Sequence, residues 1–210
     1  MAWFWGFISV ENSFSDFDFL INTLPLNNLI TLLSPLPEQS ILKSADNLKF
    51  RAVVFIGFLI NKPQVLPVSF MYFREHSFNR VYDSSHFNHD TNIDNSSIIV
   101  AEISASTESP YWNDEKYAIE EVKKDLFKEK IIEENDIIEI HTYRYEFGYP
   151  VYYLGYEKDL EIINDFINKN LKNTKTTGRQ GSYHYINGHI AIKMGIDTAK
   201  EIDDKIFKGE

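Results

Sequence analysis

Residues 176–189 read Thr176-Thr177-Gly178-Arg179-Gln180-Gly181-Ser182-Tyr183-His184-Tyr185-Ile186-Asn187-Gly188-His189. Four of the nine glycines of the chain (Gly178, Gly181, Gly188 and Gly195) fall within and just after this stretch. From Ile190 onward, Ala191, Gly195, Ala199, Ile202 and Ile206 share one side of a predicted helix, small residues leading. A glycine turn that feeds a helix places unpaired N–H groups and the positive end of the helix dipole together, which suits an anion. Arg179 adds a planar, forked donor suited to phosphate. The same pattern also describes a tight connection with a solvated arginine, and the residues alone leave both readings open.

Upstream, the chain mixes strand and helix signals. Phe17–Asn22 is a short apolar run that reads as a buried strand, closed by Thr23-Leu24-Pro25. Leu26, Leu29, Ile30 and Leu33 carry helical spacing, and a second helix is predicted from Pro37-Glu38 to Asn47. Strands are predicted at 49–61, 68–73, 98–104 and 137–145, with a turn at Gly148-Tyr149-Pro150. Residues 113–130 and 159–171 read as amphipathic helices, the first with Tyr117, Val122, Leu126 and Phe127 turned inward. Residues 84–97, rich in Ser, Asn and Asp, read as a surface loop. Strand and helix do not alternate strictly, so the fold class is α+β (mixed α/β) rather than a doubly wound sheet.

Composition narrows the function. The 210 residues are 43% apolar and 15% aromatic, enough for a packed core. A formal charge of −10 opposes nucleic-acid binding, which depends on phosphate neutralisation. The absence of cysteine excludes disulfides, thiolate metal sites and cysteine catalysis. The apolar stretches at 1–10, 19–37 and 52–73 are too short, or too broken by Pro, Asn and Lys, to span a bilayer, so no membrane span is expected and the chain reads as cytoplasmic. His86 and His89, with Asp83, Asp90 and Asp94, are spaced for chelation but read better as a solvated loop, so no metal is expected. No G-x-S-x-G elbow, P-loop or G-x-G-x-x-G occurs.

The 178–189 segment resembles the C-terminal cofactor motif of the FAD-dependent amine oxidase and protoporphyrinogen oxidase-like superfamily, which includes UDP-galactopyranose mutases. That motif reads G-R-x-G-x-[YF]-R-Y-x-[ND]-M-D before a helix. Gly178, Arg179, Gly181, Tyr183, Tyr185 and Asn187 match it in register, whereas His184 replaces its second arginine and Gly188-His189 its Met-Asp. Leu20–Leu26, Phe78–Asp83 with Phe87, and Tyr149–Tyr156 resemble further family segments in the same order.

The resemblance implies a three-part organisation. Residues 1–35 would be a return segment to an incomplete FAD-binding domain, 36–170 a substrate-binding α+β domain, and 171–210 an FAD-contacting strand, turn and helix. It implies FAD as cofactor, with Gly178, Arg179, Gly181 and Asn187 on the flavin side and Arg80 and Tyr185 on the substrate side. The family's glycine-rich βαβ unit is missing from these 210 residues. The implied function is therefore the C-terminal portion of an FAD-dependent oxidoreductase, inactive alone, whose partner would be an N-terminal half on a separate polypeptide. Its substrate would be a small molecule or a sugar nucleotide. The alternatives are part of a mutase-like enzyme of cell-envelope sugar metabolism, and a non-catalytic remnant or anionic-ligand binding module.

Overall fold

Backbone hydrogen bonding defines the architecture of the computed structural model, which describes residues 7–10, 13–87 and 95–208. In chain order the elements are β1 (Phe7–Val10), β2 (Ser13–Asp16), β3 (Leu20–Asn22), α1 (Leu26–Leu32), α2 (Gln39–Asn47), β4 (Phe50–Ile60), β5 (Phe70–Tyr72) and β6 (Arg80–Asp83). They continue with β7 (Ser97–Ala105), α3 (Pro110–Asn113), α4 (Glu115–Lys128), β8 (Ile137–Pro150), α5 (Tyr156–Asn170), β9 (Thr174–Thr176), α6 (Gly178–Gly181) and α7 (Gly188–Lys208). The chain divides into one unit of residues 51–148 and another of residues 1–50 with 149–210. Helices α2 and α5 fall in the unit that holds the termini, because they pack on α1 around a shared apolar cluster.

In the 51–148 unit, a five-stranded sheet has the order β5-β6-β7-β4-β8, with antiparallel pairing of β5 to β6, β6 to β7 and β7 to β4. Strict alternation buries Val54, Ile56, Phe58 and Ile60 of β4 beside Ile99, Ala101 and Ile103 of β7. This face meets Ala118, Val122 and Leu126 of α4, and each such large side chain contributes about 1.5–3 kcal/mol when fully buried. The helix expected over 113–130 is α4, with Asp114 immediately before it. Asp114 is extended, and its carboxylate accepts from Tyr117 N–H at 3.0 Å, capping α4. Tyr117, expected inward, is exposed, and Ala118 takes the inward position.

The expected turn at 148–150 is also corrected, since β8 runs through it to Pro150. Gly148 serves close strand approach: a Cβ there would lie 2.3 Å from Val53 Cγ2 and 3.0 Å from Arg51 O. The expected strand 68–73 shortens to an exposed edge, Phe70–Tyr72.

Asp83 closes this unit. Its Oδ2 accepts from the N–H groups of Val65 (2.7 Å) and Leu66 (3.0 Å), and its Oδ1 from Ser85 N–H (3.0 Å). Burial pushes this carboxyl upward, but the Ser85 hydroxyl and the three amides outweigh it and hold the pKa below the usual value.

The second unit packs Leu26, Leu29 and Ile30 of α1 with Ile41 and Ala45 of α2, Ile163 and Ile167 of α5, and Tyr183. The Tyr153 hydroxyl donates to the Asp159 carboxylate, which also accepts from Asn47 Nδ2 at 3.1 Å and so ties α5 to α2. Strands β3 and β9 pair in parallel, Ile21 opposite Lys175, with no third strand beside them among the described residues. The buried strand expected at 17–22 is thus three residues long, and Ile21 is 47% exposed because its face lacks a full cover. Strands β1 and β2 form an antiparallel hairpin.

Residues 1–6 of the apolar start, and His89, Asp90 and Asp94 of the weighed metal set, lie outside the described residues. Among the described residues no helix is long and apolar enough to cross a membrane, and no cluster of three or more metal-ligating side chains occurs.

Asp83→Ala strands three amides and is expected to destabilise the protein by about 2–4 kcal/mol in urea unfolding. Because the folded pKa is depressed, the stability Asp83 contributes is complete above its unfolded value of about 3.9 and is lost as pH falls through the folded value. Asp83→Asn should therefore flatten the acid limb of the stability–pH curve.

Candidate functional site

Because β3 and β9 are parallel, their carboxyl ends open on one side, at Thr23 and at Thr177. Thr177 N–H donates to Asn22 O at 3.0 Å, which carries the ladder one step past β9. In open parallel sheets this end is where ligands bind. Here the 176–189 segment begins. Thr177 is extended, Gly178 adopts the left-handed region (φ 78°), and α6 makes one turn to Gly181. A Cβ on Gly181 would lie 2.7 Å from Asn22 O, so glycine permits the turn to seat against β3.

Tyr183 anchors the segment from below. It is 1% exposed and adopts φ 50°, a costly conformation for a side chain of this size. Its hydroxyl lies 2.7 Å from Val151 O and 2.9 Å from Lys49 O, sharing one proton between two carbonyls. Burial pushes its pKa up to about 12. Phe50 meets the ring edge-on at 5.2 Å, and Tyr152 and Tyr156 lie 6.0 Å away.

Arg179 turns back over the segment. Its Nε donates to Ile186 O at 3.0 Å, Nη2 donates to the same carbonyl, and Cζ lies 4.9 Å from the Tyr149 ring centre and 5.1 Å from that of Tyr185. The two tyrosine rings stack at 5.3 Å. The arginine thus braces the loop and presents an aromatic pair, with Tyr185 half exposed. Tyr152 contributes its hydroxyl as acceptor for Tyr185 N–H at 2.7 Å.

The segment ends at the start of α7. Asn187 O accepts from Ile190 N–H (3.0 Å) and Ala191 N–H (3.1 Å), which leaves the first amides of the helix directed outward. No acidic residue stands in the first turn, and nothing lies within 4 Å of where a Cβ of Gly178 or Gly188 would be. This donor set, with open space before it, fits an electron-rich group such as a ring carbonyl or phosphate.

Of the residues singled out in the sequence, Gly178, Arg179, Gly181, Tyr185 and Asn187 come together in this one segment. Gly181 is buried, Arg179 half-buried and Asn187 exposed. Arg80 belongs to the 51–148 unit. It pairs with the buried Glu102 carboxylate directly across from it in the β6–β7 register. Its guanidinium lies 5.8 Å from the Tyr72 and Tyr82 rings and 5.9 Å from Phe70. Burial and the Glu102 charge raise the Tyr82 pKa against the opposing charge of Arg80.

Sequence reading missed Tyr149 as the second ring beneath Arg179 and Tyr183 as the anchor. Both residues fall in segments that carry the family resemblance, but nothing in the chain links residue 149 to residue 179.

The fold of the chain recurs within larger solved proteins. It is shared with reduced UDP-galactopyranose mutase (TM-score 0.72, 20% identity, 85% of this chain and 39% of that one). It is shared also with a protoporphyrinogen oxidase-type protein from an Exiguobacterium species (TM-score 0.61, 14% identity, 83% and 39%) and with a putrescine oxidase variant (TM-score 0.64, 14% identity, 90% and 43%). The chain therefore spans about two fifths of the length of each. UDP-galactopyranose mutase and protoporphyrinogen oxidase are also names to which the resemblance of the 178–189 segment points. No family model and no curated protein matches the sequence.

Two substitutions test this construction. Tyr183→Phe is expected to cost about 1–3 kcal/mol in thermal or urea unfolding, since the carbonyls of Lys49 and Val151 lose a buried donor. Arg179→Lys should lose most of what Arg179→Ala loses, about 1–3 kcal/mol, because an ammonium cannot deliver paired N–H groups to Ile186 O while covering both rings.

Proposed function

We propose that this chain is the C-terminal, substrate-side portion of an FAD-dependent oxidoreductase, with the dinucleotide-binding portion supplied by a second polypeptide. The observation that carries this reading is the segment 177–188. It lies at the carboxyl ends of a parallel strand pair, with an open helix N-terminus and two uncrowded glycines, in a fold shared with flavoprotein structures. In this reading the first amides of α7 and the Gly178 turn meet the electron-rich edge of the flavin. FAD supplies the redox or covalent chemistry when bound, and the protein orients substrate against it.

Among substrates, a sugar nucleotide is favoured over an amine by one feature. Arg179 with the Tyr149–Tyr185 pair offers positive charge beside an exposed aromatic surface, suited to a diphosphate and a ring.

Titration of the 210-residue chain with FAD, followed by flavin absorbance and Trp112 fluorescence, tests the cofactor reading. Saturable binding is expected, weakened about tenfold (about 1.4 kcal/mol) by Gly188→Val, which fills the open space without touching the core. No spectral change and no shift of the thermal midpoint at saturating FAD would overturn the assignment of flavin contact to the 177–188 segment acting alone.

A further inference from the structure

Helix α7 docks through one flank, which carries buried Ile202 with half-buried Ala191, Met194 and Thr198. Ile192, Ile196 and Ile206 lie outside that flank, 68%, 49% and 58% exposed, so the small-residue face expected from the sequence is split. One turn beyond Ile202, the docked flank brings Lys205 to the amino end of β9. A cavity of about 220 Å³ opens there, lined by Asn168 of α5, Leu171 and Lys172 of the connection, Thr174 and Lys175 of β9, and Lys205. It has room for a phosphate group and several waters. Among the described residues no acidic side chain lines it, in a chain with 31 acidic residues against 21 basic ones.

The local backbone holds this cluster together. Thr174 N–H donates to Leu171 O at 2.9 Å and Leu20 N–H to Asn173 O at 2.8 Å, which pins the α5–β9 connection at both ends. Lys172 stands exposed on that connection, while Lys175 and Lys205 are half-buried. Lys175 is paired with Glu201. The hydrogen bond from Lys175 and the charge of Lys205 hold the Glu201 carboxyl below its usual range against desolvation. The ammonium groups of Lys172 and Lys205 make no hydrogen bond or close ion pair among the described residues.

Two helix ends account for part of this charge. Lys172 follows the carbonyl end of α5 and Lys205 stands in the last turn of α7, and each such end carries about half a negative charge. Glu201 offsets one ammonium more. Positive charge is left over, and like charges gathered on one cavity repel until an anion stands between them. A phosphate group brings about 1.5 to 2 negative charges at pH 7, where a carboxylate brings one, and lysine serves it well as a point charge.

We propose that this cavity is a binding site for a small phosphate-bearing anion of the diphosphate class, held by Lys172, Lys175 and Lys205. It lies at the amino end of β9, whereas the 177–188 segment lies at the carboxyl end. Gly188 and Lys205 are about 25 Å apart along α7, so the two sites are separate and this one stands without the flavin reading.

Calorimetric titration of the full chain with inorganic pyrophosphate at low ionic strength tests the site. Saturable one-to-one binding is expected, weakening as salt is added and raising the thermal midpoint. The double variant Lys172→Ala/Lys205→Ala should weaken binding at least about tenfold without lowering the midpoint of the free chain, since it removes two repelling charges. Lys172→Arg should keep binding, and Gly188→Val, at the far end of α7, should leave it unchanged. No binding, or binding that survives the double variant, overturns the proposal. So does binding lost in Gly188→Val, which would place the anion at the start of α7. An acidic peptide bound more tightly than pyrophosphate would overturn it in favour of a protein partner. Flavin uptake that depends on Gly188, without pyrophosphate binding, would sink this site alone, and the converse would sink the flavin reading alone.

Discussion

The hydroxyl of Tyr183, held between the carbonyls of Val151 and Lys49, is the constraint on which the 176–189 segment depends. Lys49 O also accepts from Val151 N–H, so one point joins the residue before β4, the residue after β8 and the 176–189 turn. A buried tyrosine must find a partner for its hydroxyl. Here that need fixes the depth at which the turn sits, and the left-handed backbone at residue 183 is offset by full burial of the ring. Gly181 against Asn22 O sets the lateral position of the turn, and Arg179 clamps its outer strand to Ile186 O.

With the turn so placed, the start of α7 and the left-handed Gly178 reach the carboxyl ends of β3 and β9. The chemistry available there includes that of backbone donors and one braced guanidinium. Backbone donors and a guanidinium of this kind suit the binding and orientation of an electron-rich group. The aromatic rings of Tyr149 and Tyr185 then provide a surface of fixed geometry, since the cation above them and the Tyr152 hydroxyl beside them restrict both rotation and drift.

Much of the secondary structure was legible because burial imposes a period. The 11-residue strand Phe50–Ile60, the helix Gln39–Asn47 and the helix of residues 156–170 all appear close to where apolar spacing predicts them. The misreadings share a cause. Gly148-Tyr149-Pro150 has turn composition, yet the strand continues because a neighbouring strand needs a residue without a Cβ at 148. Tyr117 has the right spacing for the core, and Ala118 fits the close approach of sheet and helix instead.

The sequence by itself determined the class of fold, the motif at 178–189 and the flavoprotein resemblance, because these depend on local spacing and on residues adjacent in the chain. Tertiary structure alone decided that Arg179 faces inward over two tyrosines, that Tyr183 rather than a charged residue anchors the turn, and that α7 leaves an isoleucine stripe uncovered. The first two turn on groups that meet across long stretches of chain, 30 positions between Tyr149 and Arg179 and 134 between Lys49 and Tyr183, and the third on how much of a helix its neighbours can cover. Periodicity reports that a side chain is apolar, but only packing decides whether anything lies against it.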